Sequence, residues 1–399
     1  MNKHIFFDNL TANIGALIAG KKKFIAGSTD SQSFEQLVRL SLYIIGGISV
    51  TVLGLLVALW IISPGKPEPI YGPDGTPLEG SISVIEKITL GGLDQYLIIR
   101  GADSTKPVIL FLHGGPGSPE AAFMKHFNTD IEKDFVMVYW EQRGAGKSFS
   151  RDIPVESMNI EQFISDTREL SEYLTQRFKQ DRIYIMGHSW GSLLGIMTAY
   201  QHPELYLAYF GIGQVAHQFR GEQISFEWAK KQACKNNYKK AAETLAGLSF
   251  PDLNATGKEW IDYMTEQRIY VNKFGGGTTR DITGMWPLIR IVFKTREYTI
   301  GDKLNFMNGS MFSLEHMWNE VIHTNLFDEI GSMQVPVYFF HGKYDFTTPH
   351  SVAKDFYDQL KAPEKGFFTF KNSAHSPVME EVEKFNSIVK EITRNIELI

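Results

Sequence analysis

The chain has 399 residues, 43% of them hydrophobic and 21% charged, enough to bury a core without disulfide or metal staples. A formal net charge of −5 supplies no global basic field and argues against a nucleic-acid partner. The single cysteine, Cys234, excludes an internal disulfide, and its helical-looking surroundings, Trp228 to Asn236, read as those of a buried structural thiol.

Residues 1–39 read as a cytoplasmic tail. Phe6, Phe7, Leu10, Ile14, Leu17 and Ile18 have the spacing of an interfacial amphipathic helix, with an unstructured tail as the alternative. From Leu40 to Ser63 no charge interrupts a run of Leu, Ile, Val and Gly. At about 1.5 Å per residue this run spans a hydrocarbon core of roughly 30 Å. A cleavable signal peptide would have a shorter apolar core and a shorter lead. Residues 40–63 are therefore expected to be a retained single-pass anchor and the chain's membrane contact. Lys21, Lys22, Lys23 and Arg39 precede it and only Lys66 follows closely. That bias keeps the N-terminus cytoplasmic and places the rest outside, in an extracellular, periplasmic or lumenal space. Residues 64–82, rich in Pro and Gly, read as an extended linker.

Beyond the linker, strands and helices alternate. Ser83–Thr89 and Gln95–Arg100 form an expected hairpin around Gly91-Gly92. Val108–Leu112, Phe135–Tyr139 and Arg182–Met186 are short apolar runs of the kind buried on both faces of a sheet. Helices are expected over Ile160–Phe178 and from about Ser192 to Gln201, with a strand over Tyr206–Ile212. The pattern resumes with strands Val335–Phe340 and Gly366–Phe370 and helices Ser351–Leu360 and Glu380–Ile396. This alternation predicts an α/β fold, a mostly parallel sheet with helices on both faces. Residues 83–215 and 331–399 make two parts of its core. Between them, residues 216–330 read as an inserted helical cap.

Gly187-His188-Ser189-Trp190-Gly191 joins an expected strand to an expected helix, the setting that a G-x-S-x-G nucleophile elbow requires. A serine nucleophile needs a base, and the base an orienting acid. Asp345 and His375 follow the two late strands in that order, on loops at the carboxyl ends of parallel strands. The candidate catalytic residues are thus Ser189, Asp345 and His375. His113-Gly114-Gly115-Pro116-Gly117 ends the first buried strand and can present backbone amides to an oxyanion. The donors are assigned to Gly115 and Trp190, with Gly114 as fallback for the first.

These motifs closely resemble those of the proline iminopeptidase family of α/β-hydrolases, over about residues 83–215 and 335–380. The resemblance rests on His113–Gly117, Glu141-Gln-Arg-Gly-Ala-Gly-Lys-Ser148, Gly187–Ser192, His341–Asp345 and Ser373–His375. It implies removal of an N-terminal residue, often proline, from peptides without a metal or cofactor. Glu141 stands where the family usually has Asp, and His188 where it often has Gly.

The cap offers two candidate groups for binding a substrate amine. Glu222 and Glu227 lie about 140° apart on a helix. Glu259, Asp262 and Glu266 share one face, which reads as a solvated acidic surface. Glu222 is preferred because the cap begins there. Gly146-Lys147-Ser148 is no phosphate loop, since Glu141 holds its leading glycine position, and no histidine shows metal spacing. The leading expectation is a membrane-anchored serine aminopeptidase acting on a small peptide. An esterase or lipase with the same triad, and a non-catalytic ligand binder on the same fold, are the alternatives. Oligomeric state is left open.

Overall fold

The structure, a computed structural model, describes residues 31–397. The expected amphipathic stretch before Lys21 and the basic residues Lys21 to Lys23 lie outside them. Two compact units separate after Ile61.

Among the described residues the first unit carries the helix α1 (Ser31–Ile62), whose last residue falls in the second. Within it Glu35–Ile62 contains an 18-residue window of mean hydropathy 2.4, none of it buried, and is by length and composition apolar enough to cross a membrane. The helix starts before the apolar run at Leu40 because no Pro or Gly between Ser31 and Arg39 interrupts it.

The second unit is built on an eight-stranded sheet in the order β1-β2-β4-β3-β5-β6-β7-β8. Its strands are β1 (Ile82–Leu90), β2 (Leu93–Gly101), β3 (Val108–Leu112), β4 (Val136–Glu141), β5 (Ile183–His188), β6 (Tyr206–Ile212), β7 (Val337–Gly342) and β8 (Lys365–Phe370). The β1–β2 hairpin and the β2–β4 pairing are antiparallel, and every other pairing is parallel. The mostly parallel α/β sheet is the one that the sequence predicts.

Period-two alternation sends each strand's side chains to both faces. Val108, Leu110 and Leu112 join one core cluster with Phe163, Leu170 and Leu174 of α3 (Ile160–Phe178) and Leu193 of α4 (Trp190–Gln201). Ile109 and Phe111 join the other, with Met124 of α2 (Ala121–Phe127) and Phe385 and Val389 of α13 (Val382–Glu397). Each such side chain contributes about 1.5–3 kcal/mol by leaving water. The seven-residue α2 was not expected, since so short a helix leaves little periodicity to read. The expected Glu380–Ile396 helix is two, α12 (Pro377–Glu380) and α13. Glu381 interrupts it, its carboxylate accepting from the Asn372 amide (2.9 Å) and Ser373 hydroxyl (2.8 Å).

Between β6 and β7 lie six helices: α5 (Gln218–Lys235), α6 (Lys239–Gly247), α7 (Gly257–Lys273), α8 (Met285–Lys294), α9 (Ile300–His323) and α10 (Leu326–Glu329). α11 (His350–Gln359) follows β7. Cys234, expected to be buried, is exposed on α5; the inward side of that helix is taken by Phe226, Ala229 and Ala233.

Residues 64–82 do not run as a free spacer. The Ser63 hydroxyl accepts from Lys303 Nζ (2.8 Å), and the Lys66 amide donates to the Arg296 carbonyl (3.2 Å). Glu68 pairs with Lys125 (2.6 Å), while its carbonyl accepts from Ser83 Oγ and Arg100 Nη1. Proline and glycine exclude regular structure, but they leave side chains and carbonyls free to dock.

Candidate active site

The turn from β5 into α4 holds Ser189 at φ 55°, ψ −121°, a left-handed conformation that costs an L-residue of order 1–3 kcal/mol. Two glycines make room for it. A Cβ on Gly187 would lie 2.0 Å from the Gly191 carbonyl oxygen, and one on Gly191 would lie 2.0 Å from that of Leu112. The Ser189 amide donates to Ile212 O of β6 (2.9 Å), fixing the turn to the sheet.

Asp345 and His375 come from the loops after β7 and β8, and both are buried. His375 Nδ1 lies 2.8 Å from Asp345 Oδ2. The other carboxylate oxygen accepts from the amides of Thr347 and Thr348, each at 2.9 Å. Burial alone would raise the Asp345 carboxyl, but the attraction of His375 and hydrogen bonds from His341 and His375 overcome it and hold the group well below the usual carboxylate range. Burial depresses the His375 imidazole, with Asp345 opposing and His188 and His341 adding to the shift. A neutral imidazole oriented by a carboxylate is what a general base requires. Neither Ser189 Oγ nor His375 Nε2 has a hydrogen-bond partner among the described residues. Such bonds commonly close only when substrate arrives.

The glycine loop after β3 lies beside the elbow, since a Cβ on Gly114 would be 3.1 Å from that of Ser189. Gly115 has φ 117°. The Gly114 amide is committed to Glu120 Oε1 (3.1 Å), so the fallback donor is already engaged. The amides of Gly115 and Trp190 donate to no described residue. His113 is fixed as its Nδ1–H tautomer. It donates to Gly114 O (2.8 Å) while Nε2 accepts from the Gln142 amide (3.2 Å), and burial pushes its pKa down to about 4. Gln142 also accepts from the Trp190 indole (2.9 Å). The Glu141–Ser148 motif is thus a brace between glycine loop and elbow. Glu141 itself is buried, held by Tyr298 and by the Lys147 amide (2.6 Å). Lys147 pairs with Asp302 (2.6 Å).

The helical insertion reaches the same loops. Gly277 O accepts from the His375 amide (3.1 Å) and Gly276 O from that of Phe346 (2.9 Å). Trp228 stacks on Phe346 with ring centroids 4.1 Å apart. Glu222 is fully buried: Gln218 (2.8 Å) and Arg268 donate to its Oε1, and its Oε2 has no partner. The adjacent Gly221 faces Pro349, just past the Asp345 loop. Glu227 is exposed and paired with Lys230. Glu259 caps its own helix through Thr256, and Asp262 pairs with Lys258, consistent with a solvated acidic face. Sequence reasoning missed the Glu120–His188 pair and Arg268, whose partners lie 68 and 46 positions away. Among the described residues no group of His, Cys, Asp and Glu is arranged to hold a metal ion.

A family model for the α/β-hydrolase fold matches residues 107–382. The chain belongs to that family. Among its relatives is a Bacillus subtilis protein named "Probable aminopeptidase YbaC", 33% identical over 80% of this chain and 99% of that protein. A proline iminopeptidase of Lactobacillus helveticus is 25% identical over 78% of this chain and 98% of its own length. The crystal structure of the Mycobacterium smegmatis proline iminopeptidase superposes with a TM-score of 0.56, covering 79% of this chain and 99% of that one at 16% identity. At that identity the likeness speaks for the fold alone. This α/β-hydrolase therefore has the recognised family, with aminopeptidases and proline iminopeptidases among its relatives.

Proposed function

We propose that this α/β-hydrolase is a membrane-anchored serine aminopeptidase that releases the N-terminal residue of short peptides through an acyl-enzyme. What supports the reading is the buried Asp345–His375 pair, whose imidazole lies 4.7 Å from the ring of His188, the residue before Ser189 in the elbow, together with two uncommitted amides at the elbow and glycine loop. In this reading His375 Nε2 takes the Ser189 proton as Oγ attacks the scissile carbonyl. Asp345 stabilises the resulting imidazolium, and the Gly115 and Trp190 amides hold the oxyanion. The proton then passes to the leaving amine, and water hydrolyses the ester in a second cycle through the same base. Glu222 Oε2, buried without a partner, supplies the acceptor for the substrate's N-terminal ammonium. The α1 helix, with residues 40–63 in the bilayer, anchors the enzyme with its hydrolase unit outside.

A second reading, a carboxylesterase, is favoured by one feature: Arg268 already neutralises part of the Glu222 charge, which weakens an amine pocket. Full-length protein in detergent, assayed on prolyl and other aminoacyl amides and on short-chain esters, separates the two. Turnover of amides with a free amine, lost on N-acetylation, supports the aminopeptidase. Ester turnover alone supports the esterase, and a folded protein inactive on both would point to a ligand binder.

A further inference from the structure

Helices α8 and α9 turn an unpartnered apolar face outward. On α8, Trp286 (77% exposed) and Phe293 recur at i and i+7. On α9, Leu304 (60% exposed), Met307 and Met311 recur at i, i+3 and i+7. Each set makes one stripe along its helix. The inward side of the same helices is well occupied: Ile291 and Val292 join the core cluster that contains Met124. Exposed Arg290, Lys294 and Arg296 accompany the stripe on and just beyond α8.

What covers this face is indicated by the chain leading into the unit. Lys303, one residue before Leu304, is buried, and its ammonium donates to both Ser63 Oγ (2.8 Å) and Phe293 O (2.7 Å). The Lys66 amide donates to Arg296 O (3.2 Å). Ser63 is therefore bonded to the junction of α8 and α9. It is also the residue directly after Ile62, where the apolar helix ends, one Cα step of about 3.8 Å away. If Ile62 lies at the bilayer boundary, the α8–α9 junction has no length of linker with which to leave it.

We propose that the α8–α9 face lies in the interface of the membrane that holds α1, with Trp286, Phe293, Leu304 and Met307 among the acyl chains and Arg290, Lys294 and Arg296 against anionic headgroups. This rests on the reading of α1 as a membrane span. Amphipathic helices of this composition bury their apolar side about 5–10 Å into the headgroup boundary, and each cation near an anionic surface adds to the attraction. About 90° around α9 from this stripe, Ser310 Oγ donates to Gly117 O (2.6 Å), so the immersed helix also backs the glycine loop of the candidate site.

The test uses the full chain with Cys234→Ser, reconstituted in vesicles of equal parts phosphatidylcholine and phosphatidylglycerol. Single cysteines at Phe293→Cys, Met307→Cys and, on the opposite sheet face, Glu172→Cys carry an environment-sensitive nitrobenzoxadiazole dye. The proposal expects the dyes at 293 and 307 to emit to the blue of the dye at 172. They should also be quenched by doxyl-labelled lipid and resist aqueous iodide several-fold better. Dyes at 293 and 307 as iodide-accessible as the one at 172, on protein that floats with the vesicles, would overturn the proposal and leave the span intact. Shielding from iodide without doxyl quenching would also overturn it, assigning the face to a second copy of the chain. Protein that fails to float would remove the span, and the proposal with it.

Discussion

The imidazole of His188 is clamped between Glu120 and the backbone of His375. Its Nδ1 lies 2.8 and 2.9 Å from the two Glu120 oxygens, and its Nε2 lies 3.1 Å from the His375 carbonyl. Both partners are acceptors, which calls for a proton on each ring nitrogen. Burial disfavours the charge, yet the Glu120 carboxylate prevails and raises the His188 pKa. Because Glu120 also accepts from the Gly114 amide, one buried pair joins the glycine loop, the elbow and the base loop.

The His188 and His375 rings are 4.7 Å apart, so the His188 charge helps to keep His375 unprotonated. The other groups facing His375 are Asp345, which favours its charged form, and His341, which opposes it. The acid limb of kcat/KM should therefore lie below the ordinary imidazole value of 6.5, with activity lost as pH falls through the His375 pKa. Replacing His188 with Asn removes a positive neighbour. The His375 pKa should rise and the limb should move to higher pH, readable in a pH–rate profile. An unmoved limb with uniformly lower activity would make His188 a packing residue only.

Gly115→Ala should lower kcat by about 10²–10³-fold with little change in KM, the usual cost of a lost oxyanion donor. At φ 117° an alanine is strained, and its Cβ would lie 2.6 Å from the Gly117 amide nitrogen, so the loop must shift. Circular dichroism should show an unchanged fold, while steady-state kinetics register the loss.

Arg268→Met leaves the Glu222 carboxylate without its cation. In the proposed amine site this should lower KM for free-amine substrates relative to neutral esters, because the substrate ammonium no longer competes with Arg268. Glu222→Gln should raise KM for the same amides. Parallel changes for amides and esters in both variants would take the pair out of the amine site.

Burial raises the Glu141 pKa to about 7, against hydrogen bonds from Tyr298 and the Lys147 amide that lower it. Its folded pKa lies above the unfolded value, so between about pH 4.5 and 7 the folded protein holds the extra proton. Stability should then fall as pH rises through that window, by at most about 1.4 kcal/mol per pH unit for this one group. Thermal unfolding of Glu141→Gln should lose that part of the slope; an identical pH dependence would contradict it.

Much of this fold was legible in the sequence because buried strands declare themselves by composition. Val108–Leu112 and Tyr206–Ile212 have the bounds expected of them. The elbow was legible because its two glycines are forced by contacts under 3 Å with neighbouring backbone. Pairings across the fold were not. Nothing near Glu120 announces His188, nothing near Glu222 announces Arg268, and the docking of Ser63 on Lys303 joins residues 240 positions apart. Cys234 was misread because helical surroundings do not say which side of the helix faces the core. Short helices such as α2 escape for want of a period.

Ser189 as the nucleophile is the centre of the proposed chemistry. The most direct test is reaction of the full-length protein with a fluorophosphonate reagent, with the adduct located by peptide mass spectrometry. One modified residue is expected, Ser189, with labelling and amide turnover both lost in Ser189→Ala, the latter by roughly 10⁴–10⁶-fold. A folded wild-type protein that hydrolyses its substrate while Ser189 stays unlabelled, or a Ser189→Ala variant with full activity, would contradict it.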